Sequence, residues 1–386
     1  MAGLERLLAS REIVLSCGSG GVGKTTVAAA AGAMAAAHLG GRVLVLTVDP
    51  ARRLANALGL EQFGNTEVRI EDASWKAAGL RPRGELWAAM LDMKQSWDDL
   101  VRKHAPDAVT RDKILQNPLY QNIAGKFVHG HDYIAMERLY EIHSSGRYDL
   151  IVVDTPPTRN AIDFLSAPER MADFFSSRLL RWLIAPYKSR IYTAVSRPFY
   201  ELADRILGSQ FLRDIADFFM LFQEMHPGFV ERAEAVRRTL EDRRTSFLVV
   251  TTLEPAPARE AEFFLSELRR RGYSVGALVF NKVLPEYFRD PEAASVAEAL
   301  VERAGELAAE FAEDGVCETS TVARVLTEIG ESFLNYRVVA SREADQKSLL
   351  TSSSPDLVLD IPHLDEDVVD LAGLLRVGES LWEGDA

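Results

Sequence analysis

The run Gly18-Ser19-Gly20-Gly21-Val22-Gly23-Lys24-Thr25 satisfies the spacing G-x-x-x-x-G-K-[ST] in full. Chemistry on a phosphate chain needs this combination. Glycines let the backbone wrap closely and aim N–H groups inward. A lysine supplies positive charge to the β- and γ-phosphates, and a hydroxyl ligates Mg²⁺. The sequence therefore predicts a site for ATP with Mg²⁺. Gly20, Gly21, Val22, Gly23, Lys24, Thr25 and Thr26 surround the phosphates, and Thr25 reaches the ion. Two carboxylates follow short apolar runs: Asp49 after Val43–Val48, and Asp154 after Leu150–Val153. In a parallel sheet both lie at carboxyl strand ends, on the edge that carries the loop. Mg²⁺ prefers oxygen ligands and retains waters. Asp154 is read as holding the ion through water. Asp49 is read as orienting the attacking water or bridging to the ion, which makes Asp49 and Lys24 the catalytic candidates. Taken alone, either aspartate is an ordinary helix cap or turn residue. The complete phosphate loop beside them favours the metal role.

The elements that must position these groups are legible as a rhythm. The apolar runs Ile13–Ser16, Val43–Val48, Leu150–Val153, Phe247–Thr251 and Leu278–Phe280 lack polar alternation, so they read as strands buried on both faces. Leu357–Leu359 is a weaker last strand. Helical patterns between them imply a doubly wound, mostly parallel α/β sheet. The loop sits between the strand Ile13–Ser16 and the alanine-rich helix Thr26–His38. Asp92–Arg138 reads as helical with breaks near Pro106 and Pro118, and Asp365–Trp382 as an acidic amphipathic helix. From about 161 to 240 the strand signal vanishes. Met171, Phe174, Phe175, Leu179, Trp182 and Leu183 recur at helical spacing, as do Leu212, Ile215, Phe218, Phe219 and Phe222. That stripe either buries itself within an inserted helical subdomain or forms a groove for an apolar partner. The predicted organisation is an ATPase core over 1–160 with a helical insertion at about 92–138, a helical subdomain over 161–240, and the rest of the core over 241–386.

The chain of 386 residues is 47% hydrophobic, enough for a sizeable core, and its formal net charge is −13. An acidic surface repels nucleic acid and anionic membranes, so neither is an expected bulk partner. The cysteines, Cys17 and Cys317, lie far apart with no CxxC pair. Neither a disulfide framework nor a thiolate zinc site is expected, and a reducing cytoplasm is the natural compartment. Cys17 is expected to pack beneath the loop. No apolar run is long enough to span a bilayer, and Met1–Arg11 does not read as a signal peptide. Work at a membrane would go through a partner.

The loop Gly20–Thr26, Asp49-Pro50-Ala51 with Leu54, and Asp154-Thr155-Pro156-Pro157-Thr158 with Leu165 together resemble the arsenite-pump (ArsA) ATPase family. This is a dimerising, deviant-Walker branch of the P-loop NTPases that also holds the ATPase targeting tail-anchored membrane proteins. The likeness runs over about 11–375 and is strongest to single-domain ArsA-like anion-transporting ATPases of actinobacteria and related bacteria. The resemblance implies that Asp49 acts on the hydrolytic water and that Asp154 lies near Mg²⁺. It also implies that Asn281 reads the adenine edge and that Ile361-Pro362-His363-Leu364 packs over the base. It implies a dimer, with a second copy or with a paralogous ATPase. The family carries a signature lysine where this chain has Ser19, and a serine supplies no charge to a transferring phosphoryl group. Arg52 and Arg53 are candidate substitutes. The zinc-binding CxxC of the targeting branch and the paired thiols of the pump are absent from the sequence. The leading expectation is a Mg²⁺-dependent ATPase switch acting on a hydrophobic or membrane-protein client. The alternatives are a weakly hydrolysing scaffold or regulatory half of a heterodimer and, less favoured by the acidic tail, a partition-type ATPase.

Overall fold

The computed structural model describes residues 3–48, 53–60, 64–123, 128–156, 231–312, 318–352 and 357–383, with isolated positions between 162 and 220. The expected subdomain over 161–240 therefore lies mostly outside the described residues, as do Asp49, Arg52 and Cys317. A helix is described over 231–241.

One eight-stranded sheet organises the molecule. Its strands are β1 (Ile13–Cys17), β2 (Arg42–Thr47), β3 (Val68–Arg69), β4 (Glu85–Met90), β5 (Leu150–Asp154), β6 (Thr245–Thr251), β7 (Val275–Val283) and β8 (Val358–Pro362). The spatial order is β3-β4-β2-β5-β1-β6-β7-β8. Every neighbouring pair is parallel except β3 with β4. Every residue of β1, β5 and β6 is buried, as continuous apolar runs require of strands covered on both faces.

Alternation within each strand divides the core in two. Val14, Val45, Val152, Val250 and Val279 face a layer made by α1 (Gly3–Ala9), α2 (Lys24–His38) and α13 (Leu371–Glu383). Leu15, Leu44, Val153, Val249 and Phe280 face α8 (Val128–Ser144), the helix over 231–241 and α9 (Pro255–Arg270). Residues Val27 to Ala37 of α2 are all buried, and their small side chains let that helix sit close to the sheet.

The six strands expected from the sequence are present, with ends shifted by a few residues. Two are additional. β4, reading Glu-Leu-Trp-Ala-Ala-Met, pairs with β2 along its whole length, yet its alanines carry little strand preference. β3 is too short to show a period. The helical stretch expected over 92–138 resolves into α5 (Met93–His104), α6 (Ala108–Gln116), α7 (Pro118–Ile123) and α8. Asp92 and Asp107 cap the first two by accepting from Gln95 and Thr110 backbone N–H groups.

The last helix requires a correction. It begins at Leu371 rather than Asp365, because Asp370 takes the capping role, accepting from the Gly373 N–H through its side chain. Between β7 and β8 the chain builds α10 (Pro291–Glu302), α11 (Ala304–Ala312) and the 33-residue α12 (Thr319–Thr351), a helical insertion the strand-seeking reading passed over.

Candidate functional site: a phosphate loop beside a buried carboxylate

The chain leaves β1 at Cys17 and turns through residues 18–23 into α2, so the N-terminus of a 15-residue helix faces the loop. Gly23 caps that helix in the left-handed region, at φ 94°. A Cβ there would also lie 2.2 Å from Asn281 Nδ2, so glycine is required twice over. Lys24 is buried, and its ammonium donates to the Ser19 carbonyl at 2.9 Å. Ser16 Oγ donates to the Lys24 carbonyl at 3.1 Å and pins the start of the helix to the strand. The Ser19 hydroxyl is buried and makes no hydrogen bond.

Sheet register decides what meets the loop. β5 runs between β1 and β2, which puts Asp154 level with Ser16 on one side and Thr47 on the other. Asp154, only 1% exposed, accepts through Oδ2 from Thr25 Oγ1 at 2.7 Å and from Thr47 Oγ1 at 2.9 Å. The loop threonine and the expected Mg²⁺ carboxylate are thus in direct contact. Thr47 joins them, although nothing in its strand marks it out in the sequence. The backbone leading towards residue 49 is held at the same point, where the Val48 N–H donates to the Asp154 carbonyl at 3.2 Å. Thr47→Val keeps the strand packing and removes one of the two hydroxyl donors. It is expected to lower ATP turnover about tenfold and to raise the Mg²⁺ concentration needed, as read from a Mg²⁺ titration of turnover.

Cys17 packs beneath the loop as expected. Burial pushes its thiol up to about 12, and Thr155 Oγ1 approaches its sulfur at 3.5 Å. A thiol held protonated is a poor metalloid ligand. Among the described residues there is no cluster of three His, Cys, Asp or Glu side chains able to hold a metal.

A cleft of about 710 Å³ opens from the loop. Gly21, Gly23, Thr25 and Thr26 line one end, and Pro362, His363 and Leu364 line another part. Asn281 is brought to it as expected, but its amide is already engaged. Nδ2 donates to the Val22 carbonyl at 2.7 Å, and Oδ1 accepts from the Lys282 N–H at 2.9 Å. One hydrogen and one lone pair of that amide remain for a base. The sequence reading missed the rest of the wall: Leu54, Asn56 and Ala57, then Asp365, Glu366 and Asp367, and Lys282. A separate hollow of about 560 Å³ between α5 and α8 shares no residue with this cleft, and the Arg232–Glu137 ion pair at 2.6 Å ties its walls together.

The residues present fit a nucleotide with Mg²⁺. The cradle is too tight for a side chain at Gly23, a buried loop hydroxyl lacks a partner, and the hydroxyl oxygens of Thr25 and Thr47 meet the Asp154 carboxylate, oxygen ligands of the kind a hard cation prefers.

Comparison with known proteins agrees with this geometry. An uncharacterized protein of Streptomyces coelicolor is 31% identical over 71% of this chain and 63% of its own length. A protein of Chlorobaculum tepidum provisionally named an arsenical pump-driving ATPase is 26% identical over 70% of this chain and 61% of its own length. The chain thus spans little more than three fifths of these two relatives. The ATPase GET3 of Malassezia globosa is 24% identical over 69% of this chain and 71% of its own. The profile of the anion-transporting ATPases matches residues 11–313, and with the loop, the sheet order and the buried carboxylate in place, the chain belongs to the ArsA-type anion-transporting ATPase family.

Proposed function

We propose that this chain hydrolyses ATP with Mg²⁺ and works as a dimeric switch that couples its nucleotide state to a client. The contact of Thr25 and Thr47 with Asp154, beside the phosphate loop, carries this reading. When ATP is bound, the Lys24 ammonium exchanges the Ser19 carbonyl for the phosphates, and the loop N–H groups and the α2 terminus hold the chain of charges. Thr25 and Asp154 supply the oxygen side of the metal site. A bound Mg²⁺ neutralises charge that develops on the phosphoryl oxygens. Asp49, by its position after β2, orients the attacking water. Asn281 meets the adenine edge with its remaining hydrogen-bonding capacity, and Pro362 packs on the base.

Relatives named as an arsenical pump-driving ATPase and as GET3 support a role that serves a membrane process. Among the described residues no helix is long and apolar enough to cross a membrane. The two distant cysteines, with no CxxC pair, suit a reducing compartment, so we place the chain in the cytoplasm, with the segment 161–240 as the part that meets a hydrophobic or membrane-protein client. Ser19 favours a second reading, in which this chain is one half of a heterodimer and the partner brings the missing charge. Its hydroxyl sits buried at the loop and carries none. Turnover and solution mass of the purified chain separate the two, measured with Mg²⁺ and a transition-state mimic. Sustained turnover by a dimer of this chain supports the switch. A monomer that binds nucleotide yet turns over only when a paralogous ATPase is added supports the heterodimer, and loss of all nucleotide binding would sink both.

A further inference from the structure

Asn281 and Lys282 are consecutive residues near the end of β7, and both line the nucleotide cleft. In a regular strand neighbours point to opposite faces. The alternation is broken here. Against β8, Asn281 pairs with Ile361 while Val283 pairs with the very next residue, Pro362, so Lys282 is the extra residue of a bulge. Its φ is 60°, the only positive φ among the described non-glycine residues. That left-handed conformation disfavours any side chain, and the position suits glycine. The structure nonetheless holds a lysine there, and the Asn281 side chain fixes the conformation by accepting from the Lys282 N–H at 2.9 Å. Strain of this kind persists where the surroundings over-determine it, and it gathers at ligand sites.

The charge has an evident use. Among the described residues lining the cleft, Lys282 is the only lysine or arginine, and the opposite sign is supplied by Asp365, Glu366 and Asp367. Lys282 is exposed, and among the described residues no carboxylate lies within ion-pair distance of it. An anionic nucleotide entering past three acids needs a compensating cation.

We propose that Lys282 is a nucleotide-contacting residue whose ammonium pairs with the phosphates of bound ATP or ADP, and that the bulge at the end of β7 serves to bring it there. This rests on reading the cleft as the ATP site. The test uses the full chain and Mg²⁺–ADP, with affinity from calorimetry and fold stability from thermal melting. Lys282→Met keeps the apolar stem and removes the charge; it is expected to weaken ADP binding about tenfold. Lys282→Gly relieves the strained backbone, so it should lose as much affinity while melting no lower than the natural chain. Lys282→Arg should bind within about twofold. The gap between the natural chain and Lys282→Met should narrow as salt is raised.

Unchanged ADP affinity in Lys282→Met overturns the proposal. So does a Lys282→Gly variant that loses affinity and melting temperature together, since that marks a structural role. Lys24→Ala serves as the control. If the natural chain does not bind ADP, or Lys24→Ala binds it equally well, the ATP-site reading fails as well. Binding that depends on Lys24 but ignores Lys282 overturns the lysine assignment alone.

Discussion

Asp154→Asn is expected to reduce ATP turnover about 100-fold or more while leaving the fold intact. The carboxylate is 1% exposed and accepts both the Thr25 and Thr47 hydroxyls on one oxygen. An amide of the same shape removes the negative charge that the proposed Mg²⁺ site offers. It also turns one acceptor into a donor facing hydroxyls that already donate. The two threonines can rotate to accept instead, so the packing of these hydroxyls survives. The variant should therefore melt close to the natural chain and still bind ADP in the absence of Mg²⁺. Its loss should appear in turnover and in the response to Mg²⁺. Turnover within about threefold of the natural chain would show that Asp154 is a structural acceptor and not a part of the metal site.

Gly18→Ala and Gly20→Ala should behave oppositely, although both lie in the same loop. A Cβ on Gly18 would stand 2.0 Å from the Val250 carbonyl oxygen and 3.1 Å from Val22 Cγ2. Val250 belongs to β6, which pairs with β1 directly before the loop, so that oxygen cannot retreat without disturbing the central sheet. The overpacking is expected to cost about 3 kcal/mol. For a chain of 386 residues that corresponds to a fall of about 4 °C in melting temperature. A Cβ on Gly20 meets nothing within 4 Å, and that residue does not adopt a positive φ. Gly20→Ala should melt within about 1 °C of the natural chain. The pair separates backbone crowding from the general fragility of a glycine-rich turn. If both variants melt alike, crowding against Val250 is not what fixes Gly18.

How far the site was legible depends on how its parts are linked along the chain. The phosphate loop is contiguous: its glycines, Lys24 and Thr25 carry their spacing in the sequence, and the apolar run before it and the alanine-rich run after it fix strand, turn and helix. Asp154 was legible for a similar reason, as a carboxylate at the end of a fully apolar strand. Most of the sheet was legible too, because β1, β2, β5, β6 and β7 are apolar without alternation. β4 was not, since its alanines take their place from the partner strand and not from their own preference.

What only the tertiary structure decided is which distant residues stand opposite one another. The order of β1, β5 and β2 set Asp154 level with both Ser16 and Thr47, and so drew an unremarkable strand threonine onto that carboxylate. The engagement of Asn281 with Val22 and Gly23, and the bulge that turns Lys282 into the same cleft, depend on how β7 registers with β8 across the long insertion from α10 to α12. In the sequence the acidic stretch 365–367 reads as the start of an amphipathic helix. Capping by Asp370 started that helix later and left those acids on the cleft wall. Local sequence fixes conformations whose interactions are a few residues apart. Register between strands is settled by the joint packing of both faces of the sheet, and no single segment carries that information. The loop Gly18–Thr25 and the carboxylate of Asp154 are therefore legible in the sequence, and the contact of Thr47 with that carboxylate and the place of Lys282 on the cleft wall are properties of the fold.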